Sequence, residues 1–285
     1  MLEFRGKRLP DTSLVMAIVN RTPDSFFDKG STFALQAALD RVDQVVAEGA
    51  HIVDIGGVKA APGVEVSAAE EADRVLELVQ EVRSRHPAVV LSVDTYRASV
   101  AELVLLAGAD LINDAWQAPE PETYDVAAAF GAGVVCTHAG HLPPRTRPHR
   151  AAYPDVVADV VRTVTEMADR AHRAGVPRDS ILIDPGHDFG KNSRHSLQLT
   201  ARTDELVATG WPVLMALSRK DFIGEVLDLP PPDRLEGTLA ATAVCAWLGA
   251  RVFRTHDVAA TLRVLSVVDA LRGTTAPLVN VRGLA

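Results

Sequence analysis

The chain has 285 residues, of which 47% are hydrophobic and 23% are charged, the ordinary balance of a soluble globular protein. Its formal net charge of −8 argues against binding to nucleic acid, which requires a basic face, although a local basic cleft remains compatible with it. No apolar run approaches the roughly 18 residues of a membrane span, and the opening residues MLEFRGKRLP contain no apolar run of signal-peptide length. With only two cysteines there is no disulfide framework, so we expect a cytoplasmic protein.

Short apolar runs alternate with longer amphipathic stretches along the whole chain. The runs occupy residues 14–19, 51–56, 89–95, 111–115, 134–138, 181–186, 213–218 and 252–258. They are rich in Val, Ile and Leu without strict alternation, which is typical of parallel strands covered on both faces. Between two of them, the stretch 154–175 repeats apolar residues at spacings of three and four, which predicts a helix.

Eight strands that each precede a helical stretch favour a (β/α)8 TIM barrel over an open doubly wound sheet. The opening residues LEFRGKRL predict a short N-terminal hairpin that closes the bottom of this barrel. No linker, low-complexity tract or charge block interrupts the chain. We therefore predict a single α/β domain over residues 1–285.

Polar residues lie at the end of every predicted strand. A lone Asp or Asn at such a place commonly caps the following helix. In a barrel, however, the carboxyl ends of all strands meet at one rim, and that rim holds the active site. We therefore predict a polar pocket built from Asn20, Asp54, Asp94, Asn113, Asp114, His138, Asp184, Ser218, Arg219, Lys220, Arg254, His256 and Asp257.

The residue types at this rim suit a flat heterocycle. Carboxylates and an amide would accept its N–H groups, while Lys220 would donate to a carbonyl. Arg254 and His256 are two residues apart on one strand, so they face the same side and form a candidate clamp for an oxyanion or phosphate. Asp54 is predicted to be a structural acceptor for loop backbone rather than a base. His138 fits a satisfied strand-end residue as well as it fits a metal ligand, and no histidine pair with helical metal-binding spacing occurs.

Eight motifs, in one order, resemble those of dihydropteroate synthase. They are NRTPDSF at 20–26, DIGG with PG at 54–63, SVDT at 92–95, IND at 112–114, DPG with FGK at 184–191, SRKDFIG at 218–224, GTLAA at 237–241 and RTHDV at 254–258. The resemblance implies a TIM barrel that joins a dihydropterin, activated as its hydroxymethyl pyrophosphate, to para-aminobenzoate. It also implies Mg²⁺ as a helper ion and a homodimer.

The resemblance assigns roles to individual positions. Asp94, Asn113, Asp184 and Lys220 match the pterin-binding residues, and Ser218 and Pro62 match contacts to the aminobenzoate. Asn20 matches the magnesium and pyrophosphate position, while Arg254 and His256 match the pyrophosphate clamp. On this reading Asp94, Lys220 and Arg254 are the catalytic residues.

The loop after the second strand departs from the family pattern. Active members usually have Thr and Arg where this chain has Ala60 and Ala61, and Lys59 precedes them. The first loop also differs, and in the sixth loop His187 and Asp188 replace an apolar residue and a glycine. Arg21, Lys29 or Lys59 could restore part of the lost charge, but lysine lacks the bidentate fork of arginine.

These departures predict weak or absent synthase activity on a retained pterin site. One alternative is a fully active synthase with rearranged loops. Another is a non-catalytic homologue that binds a pterin or a protein partner. A different pterin-dependent transferase is a weaker alternative, and a barrel of unrelated function is weaker still.

Overall fold

A computed structural model describes residues 1–22, 32–59, 63–140, 143–146, 152–279 and 281–282. Its ten strands are β1 (Glu3–Phe4), β2 (Lys7–Arg8), β3 (Leu14–Asn20), β4 (Ile52–Gly56), β5 (Val90–Asp94), β6 (Leu111–Asp114), β7 (Gly133–Thr137), β8 (Ile181–Asp184), β9 (Leu214–Met215) and β10 (Val252–Thr255). Its α-helices are α1 (Leu35–Ala47), α2 (Ala68–Arg85), α3 (Ala98–Leu106), α4 (Glu122–Ala129), α5 (Val156–Arg173), α6 (Ser193–Ala201), α7 (Thr203–Val207), α8 (Asp221–Leu227), α9 (Leu235–Trp247) and α10 (Val258–Leu271). Short 3-10 helices cover Arg178–Ser180 and Pro231–Asp233.

Strands β3 to β10 form one parallel sheet that closes on itself. The hydrogen-bonded order is β8-β7-β6-β5-β4-β3-β10-β9. An isolated parallel bridge between Ile183 and Val213 then joins the two outer strands. The predicted (β/α)8 barrel is therefore confirmed, with one or two helices between successive barrel strands.

The alternation of side chains along each strand separates two apolar layers. Outward residues such as Val15 and Val53 pack in the cluster beneath the surrounding helices. Inward residues such as Met16 and Ile52 form a second cluster inside the barrel. Successive side chains of a strand point to opposite faces, so polar residues that lie two or four positions after an inward apolar residue also point to the barrel axis.

The N-terminal hairpin, β1 and β2, packs against the amino-terminal end of the barrel. Phe4 is fully buried and belongs to the same inner cluster as Met16 and Ile52. A Cβ atom on Gly133 would lie 2.6 Å from the Phe4 ring, so a glycine is needed where this ring packs. The hairpin thus closes the bottom of the barrel, as the sequence predicts, and leaves the opposite end for the pocket.

Most strands are shorter than the predicted apolar runs, and two of them show the reason. The run 213–218 forms a strand only at Leu214–Met215, because the Lys220 N–H bonds the Leu217 carbonyl and Arg219 adopts a left-handed φ of 57°. The run 252–258 ends its strand at Thr255, and Val258 already begins α10. Apolar periodicity alone could not locate these turns, because Leu217 and Val258 are buried whichever element carries them.

The remaining sequence expectations at this level concern the helices. The stretch 154–175 contains α5, whose first turn is capped by the Asp155 carboxylate, which accepts from the Val157 and Ala158 N–H groups. Within the described part of the chain, no helix is both long and apolar enough to cross a membrane.

Candidate functional site

A polar layer lies inside the barrel, above the inner apolar cluster. It is built by inward-facing residues at the carboxyl ends of the strands and the positions that follow them: Asn20, Asp54, Ser92, Asp94, Asn113, Thr137, Asp184, Ser218, Arg254 and His256. Parallel strands carry their carboxyl ends to the same rim, which explains how residues distant in sequence meet here. The structure thus gathers the described residues of the predicted pocket, except Asp114, His138, Arg219 and Asp257, which bond to neighbouring loops and helices. Pro62 lies outside the described residues, as do Ala60 and Ala61.

Asp54 is the hub of this layer. It is fully buried on β4, where Oδ1 accepts from Ser92 Oγ at 2.6 Å. Oδ2 accepts from Arg254 Nε at 2.6 Å and from Asn113 Nδ2 at 3.1 Å. Asp54 is therefore a structural acceptor, as predicted, but it holds three side chains rather than loop backbone.

Asp54, the hub, determines which atom of the Asn113 side chain is open to a ligand. A carboxylate can only accept, so the Asn113 amide must turn its nitrogen to Asp54. Its Oδ1 atom then remains as an acceptor and makes no hydrogen bond within the described residues. Asn113 is 3% exposed, so any group that reaches this oxygen is largely shielded from water.

Asp94 lies beside the hub at the end of β5. Arg254 Nη2 donates to Asp94 Oδ2 at 3.3 Å, so one guanidinium bridges two carboxylates. Burial raises the pKa of Asp94 to about 8, against the opposing effect of Arg254. The predicted phosphate clamp Arg254 is thus paired with Asp54 and Asp94 in this structure.

Asp184 and Lys220 form the opposite side of the layer. Asp184 Oδ1 accepts from the Gly186 N–H at 2.7 Å, and burial raises the pKa of this carboxyl. Lys220 Nζ donates to the His187 carbonyl at 2.5 Å and lies 4.9 Å from the centre of the Phe189 ring. Burial is the main cause that lowers the Lys220 pKa.

The tight turn after β8 explains the glycine that follows Asp184. Gly186 has a left-handed φ of 64°, and a Cβ there would lie 2.0 Å from the His138 carbonyl oxygen. Only glycine fits such an approach. This turn directs the Gly186 N–H onto Asp184 and so orients the carboxylate.

His256 is held as a neutral ring. Its Nδ1 lies 2.9 Å from Ser218 Oγ, and the Ser218 hydroxyl also accepts from the His256 backbone N–H. Burial and the Arg254 charge lower the His256 pKa to about 3. At neutral pH, His256 can offer a hydrogen bond to an anion but no positive charge, so Arg254 is the cation of the predicted clamp.

Three of the predicted rim residues serve the scaffold. Arg219 donates from Nε and Nη2 to the two Asp257 oxygens, both at 2.9 Å, and ties the loop after β9 to that after β10. Asp114 accepts from the Trp116 and Ala118 N–H groups and caps the turn after β6. Burial raises the Asp114 pKa to about 7.

Lys191 was not singled out from the sequence, yet its ammonium group is fully enclosed. It lies 2.8 Å from His138 Nδ1 and donates to the carbonyls of His138, Gly186 and Phe189. His138 Nε2 contacts Asp159 Oδ2 at 3.0 Å, so of the two readings that the sequence leaves open the structure favours a satisfied strand-end histidine. The signal that the sequence offered for this role was the lysine that directly follows Phe189 and Gly190. Lys191 fastens the loop that carries Phe189 to the end of β7.

Two arginines lie beside the described ends of the second loop. Arg21 donates to the carbonyls of Phe33 and Arg74. Arg145, from the loop after β7, donates to the Val64 carbonyl at 2.5 Å. Its Nη2 atom would lie 2.6 Å from a Cβ on Gly63, so the guanidinium rests against this glycine.

The predicted magnesium position offers one oxygen ligand. The Asn20 side chain lies at the end of β3, with Oδ1 3.0 Å from where a Cβ on Gly56 would stand. Among the described residues, no three His, Cys, Asp or Glu side chains form a metal-binding group. An amide oxygen alone fits a Mg²⁺ ion that brings its other ligands as water and phosphate oxygens.

Comparisons with known proteins agree with this geometry. A family model described as "Pterin binding enzyme" matches residues 16–256. The chain is 54% identical over 279 residues to "Inactive dihydropteroate synthase 2" of Mycobacterium leprae, covering 96% of each protein. It is 40% identical over 263 residues to the dihydropteroate synthase of Bacillus subtilis, covering 92% of this chain and 89% of that protein.

Among solved structures, the dihydropteroate synthase of Yersinia pestis with a sulfonamide drug superposes with a TM-score of 0.90 at 37% identity. The match covers 96% of this chain and 99% of that one. The fold, the order of the motifs and the polar layer therefore all indicate the same family. The chain belongs to the pterin-binding enzyme family, as a divergent member of the dihydropteroate synthases.

Proposed function

We propose that this protein binds a pterin in the barrel and has weak or no dihydropteroate synthase activity. The observation that carries the proposal is the set of polar atoms that Asp94, Asn113, Asp184 and Lys220 present to the barrel interior. The first three present acceptors and Lys220 presents a donor. An aminopyrimidinone edge, with several N–H groups and one carbonyl, has the complementary pattern.

The leaving-group side of the site is poorer in positive charge. Synthase chemistry would form a bond between the aminobenzoate nitrogen and the pterin methylene carbon while the bond to pyrophosphate breaks. The protein must stabilise the charge that develops on pyrophosphate. His256 is neutral, Arg254 is already paired with two carboxylates, and Ala61 stands where active members carry arginine. Losing one such group can cost about 10³-fold in rate.

The name of the Mycobacterium leprae relative, an inactive synthase, supports the same conclusion. The Bacillus subtilis relative carries the name of the active enzyme and supports the alternative of full activity. The first assay is therefore synthase turnover by the purified protein, measured beside calorimetric binding of 6-hydroxymethyl-7,8-dihydropterin. Binding without turnover is the expected result. Turnover at an ordinary rate would overturn the proposal of reduced activity, and absent binding would overturn the pterin site.

The second test restores the loop residues. Ala60→Thr combined with Ala61→Arg should raise affinity for the pterin pyrophosphate by about 10- to 150-fold, the equivalent of one charge-assisted hydrogen bond of about 1.5–3 kcal/mol. Affinity for the bare pterin should stay unchanged, because the guanidinium would reach only the leaving group. Ala61→Lys is the matched control, since lysine supplies the charge without the fork. Equal gains for both ligands would contradict this assignment.

Further parts of the proposal concern cofactor, co-substrate and setting. We assign Mg²⁺ to Asn20 Oδ1 together with pyrophosphate oxygens and water, where the ion would neutralise charge on the leaving group. Para-aminobenzoate would contact Ser218 and Pro62. Two cysteines that are buried free thiols fit a cytoplasmic setting.

We also propose a homodimer through α9 and α10. These helices pack on each other and leave large apolar side chains exposed. Val244 and Trp247 on α9 are 46% and 58% exposed, and Val267 and Leu271 on α10 are 60% and 70% exposed. Large exposed apolar side chains on two helices that pack together are typical of a protein interface, and a second copy of this chain is the partner that the family resemblance supports.

A further inference from the structure

Thr137 carries a buried hydroxyl that has no hydrogen-bond partner among the described residues. Thr137 ends β7 and is 2% exposed, and its Oγ1 atom has no hydrogen-bond partner in the described structure. Burying a hydroxyl without a partner costs free energy, so such groups usually serve a bound molecule or water.

Thr137 differs in its position from the other described residues that have a buried polar atom without a partner. Those in the described residues are on Thr22, Thr163, Thr165 and His187, which lie in loops or on α5. Thr137 instead lies on a barrel strand. Val134 and Cys136 pack outward under the helices and Val135 packs in the inner cluster, so alternation points Thr137 inward.

The neighbours of Thr137 are residues of the proposed pterin site. Thr137 pairs in register with Asp184 on β8, and Val135, two residues earlier, pairs with Asn113 on β6. The hydroxyl therefore lies on the wall between Asn113 and Asp184. The Thr137 methyl group faces Gly186, and a Cβ atom on this glycine would lie 3.2 Å from the methyl carbon.

We infer that Thr137 is a ligand-contacting residue whose hydroxyl hydrogen-bonds the heterocycle beside the group held by Asp184. This inference rests on the proposed pterin site. It requires the ligand to carry a polar atom on the edge that faces β7. This atom would be a ring nitrogen, an exocyclic amine or a carbonyl oxygen. A hydroxyl can donate or accept, so it selects for polarity at this edge rather than for one direction of the bond.

The test uses Thr137→Val, which keeps the shape of the side chain and removes only the hydroxyl. Calorimetry with 6-hydroxymethyl-7,8-dihydropterin should give about a 3- to 10-fold loss of affinity, the equivalent of one neutral hydrogen bond. Thr137→Ser keeps the hydroxyl and should bind within about twofold of the parent protein. In the ligand-free state, Thr137→Val should raise Tm, because the unsatisfied hydroxyl is gone.

Thr163→Val is the matched control. Thr163 lies on α5, and its hydroxyl is also buried without a partner in the described residues. It should raise Tm in the same direction and leave pterin affinity unchanged. Parent-like affinity in Thr137→Val would overturn the inference while the pterin site stands. A fall in Tm for Thr137→Val would also overturn it, since the hydroxyl would then have a protein partner. Absent binding by the parent protein would overturn the proposed function as well.

Discussion

At the scale of single residues, Asp54 determines the arrangement of the polar layer. Its two oxygens accept from Ser92, Asn113 and Arg254, which lie on three other strands. The carboxylate thus sets both the direction of the Asn113 amide and the place of the Arg254 guanidinium. A buried carboxylate whose acceptor sites are mostly occupied by three donors is poorly suited to act as a base.

Asp54→Asn should lower the free energy of unfolding by about 3–5 kcal/mol, the cost of leaving a buried charge without its partner. Asparagine offers one oxygen instead of two, and its NH2 group would face donors. Urea denaturation measures the change. Ser92→Ala is the control, and it should cost only about 1.5–3 kcal/mol because it removes one hydrogen bond to the carboxylate and leaves those from Arg254 and Asn113 in place. Equal effects of the two substitutions would refute the role of Asp54 as the charged hub.

Asp94 should make stability depend on pH. Its ordinary pKa of 3.8 is raised to about 8 in the folded protein. Between these values the folded protein keeps a proton that the unfolded chain has released, so the contribution of Asp94 to the free energy of unfolding falls as pH rises. Asp94→Asn should remove that contribution. In urea denaturation from pH 5 to 9, the parent protein should lose stability relative to the variant as pH increases, and parallel curves would contradict the raised pKa.

At the scale of elements, Lys191 joins the loop after β8 to the end of β7. Its ammonium group donates to the Gly186 and Phe189 carbonyls on the loop and to the His138 carbonyl on the strand side. Burial lowers the Lys191 pKa well below its ordinary value. The same loop carries the His187 carbonyl that receives Lys220, so the loop position and the pterin site are linked.

Lys191→Met should therefore loosen this loop. The methionine fills a similar volume but leaves the His138 and Phe189 carbonyls without their donor, each at a cost of about 1–3 kcal/mol if it stays buried, while the Gly186 carbonyl keeps the Phe189 N–H. Amide hydrogen exchange in residues 186–191 should become faster, and pterin affinity should fall. Asp159→Asn is the control, since it perturbs His138 from outside the loop and leaves the lysine contacts in place. Unchanged exchange in Lys191→Met would show that the lysine does not hold the loop.

At the scale of the whole molecule, the apolar surface of α9 and α10 bears on assembly. Trp247→Glu should convert the proposed dimer to a monomer, because a charge would be buried at the contact without a partner. Analytical ultracentrifugation measures the mass. Leu106→Glu is the control, since Leu106 on α3 is 67% exposed and lies outside α9 and α10. A parent protein that sediments as a monomer, or a dimer that survives Trp247→Glu, would contradict the assignment.

The sequence by itself determined the barrel, the hairpin and the residues of the rim. Apolar periodicity is a local property, and polar residues at the ends of buried runs mark the rim of any parallel barrel. The altered loop at Ala60 and Ala61 was likewise visible without coordinates.

Only the tertiary structure decided which side chains pair and which remain open. Asp54 meets Arg254 two hundred positions away, Lys191 is enclosed by carbonyls of two loops, and His256 is neutral because of its surroundings. Thr137 has the sequence pattern of an ordinary strand residue, and only the structure shows that its hydroxyl has no partner among the described residues. The physical reason is that hydrogen-bond satisfaction and desolvation depend on neighbours brought together by closure of the barrel, and no local pattern in the sequence records them.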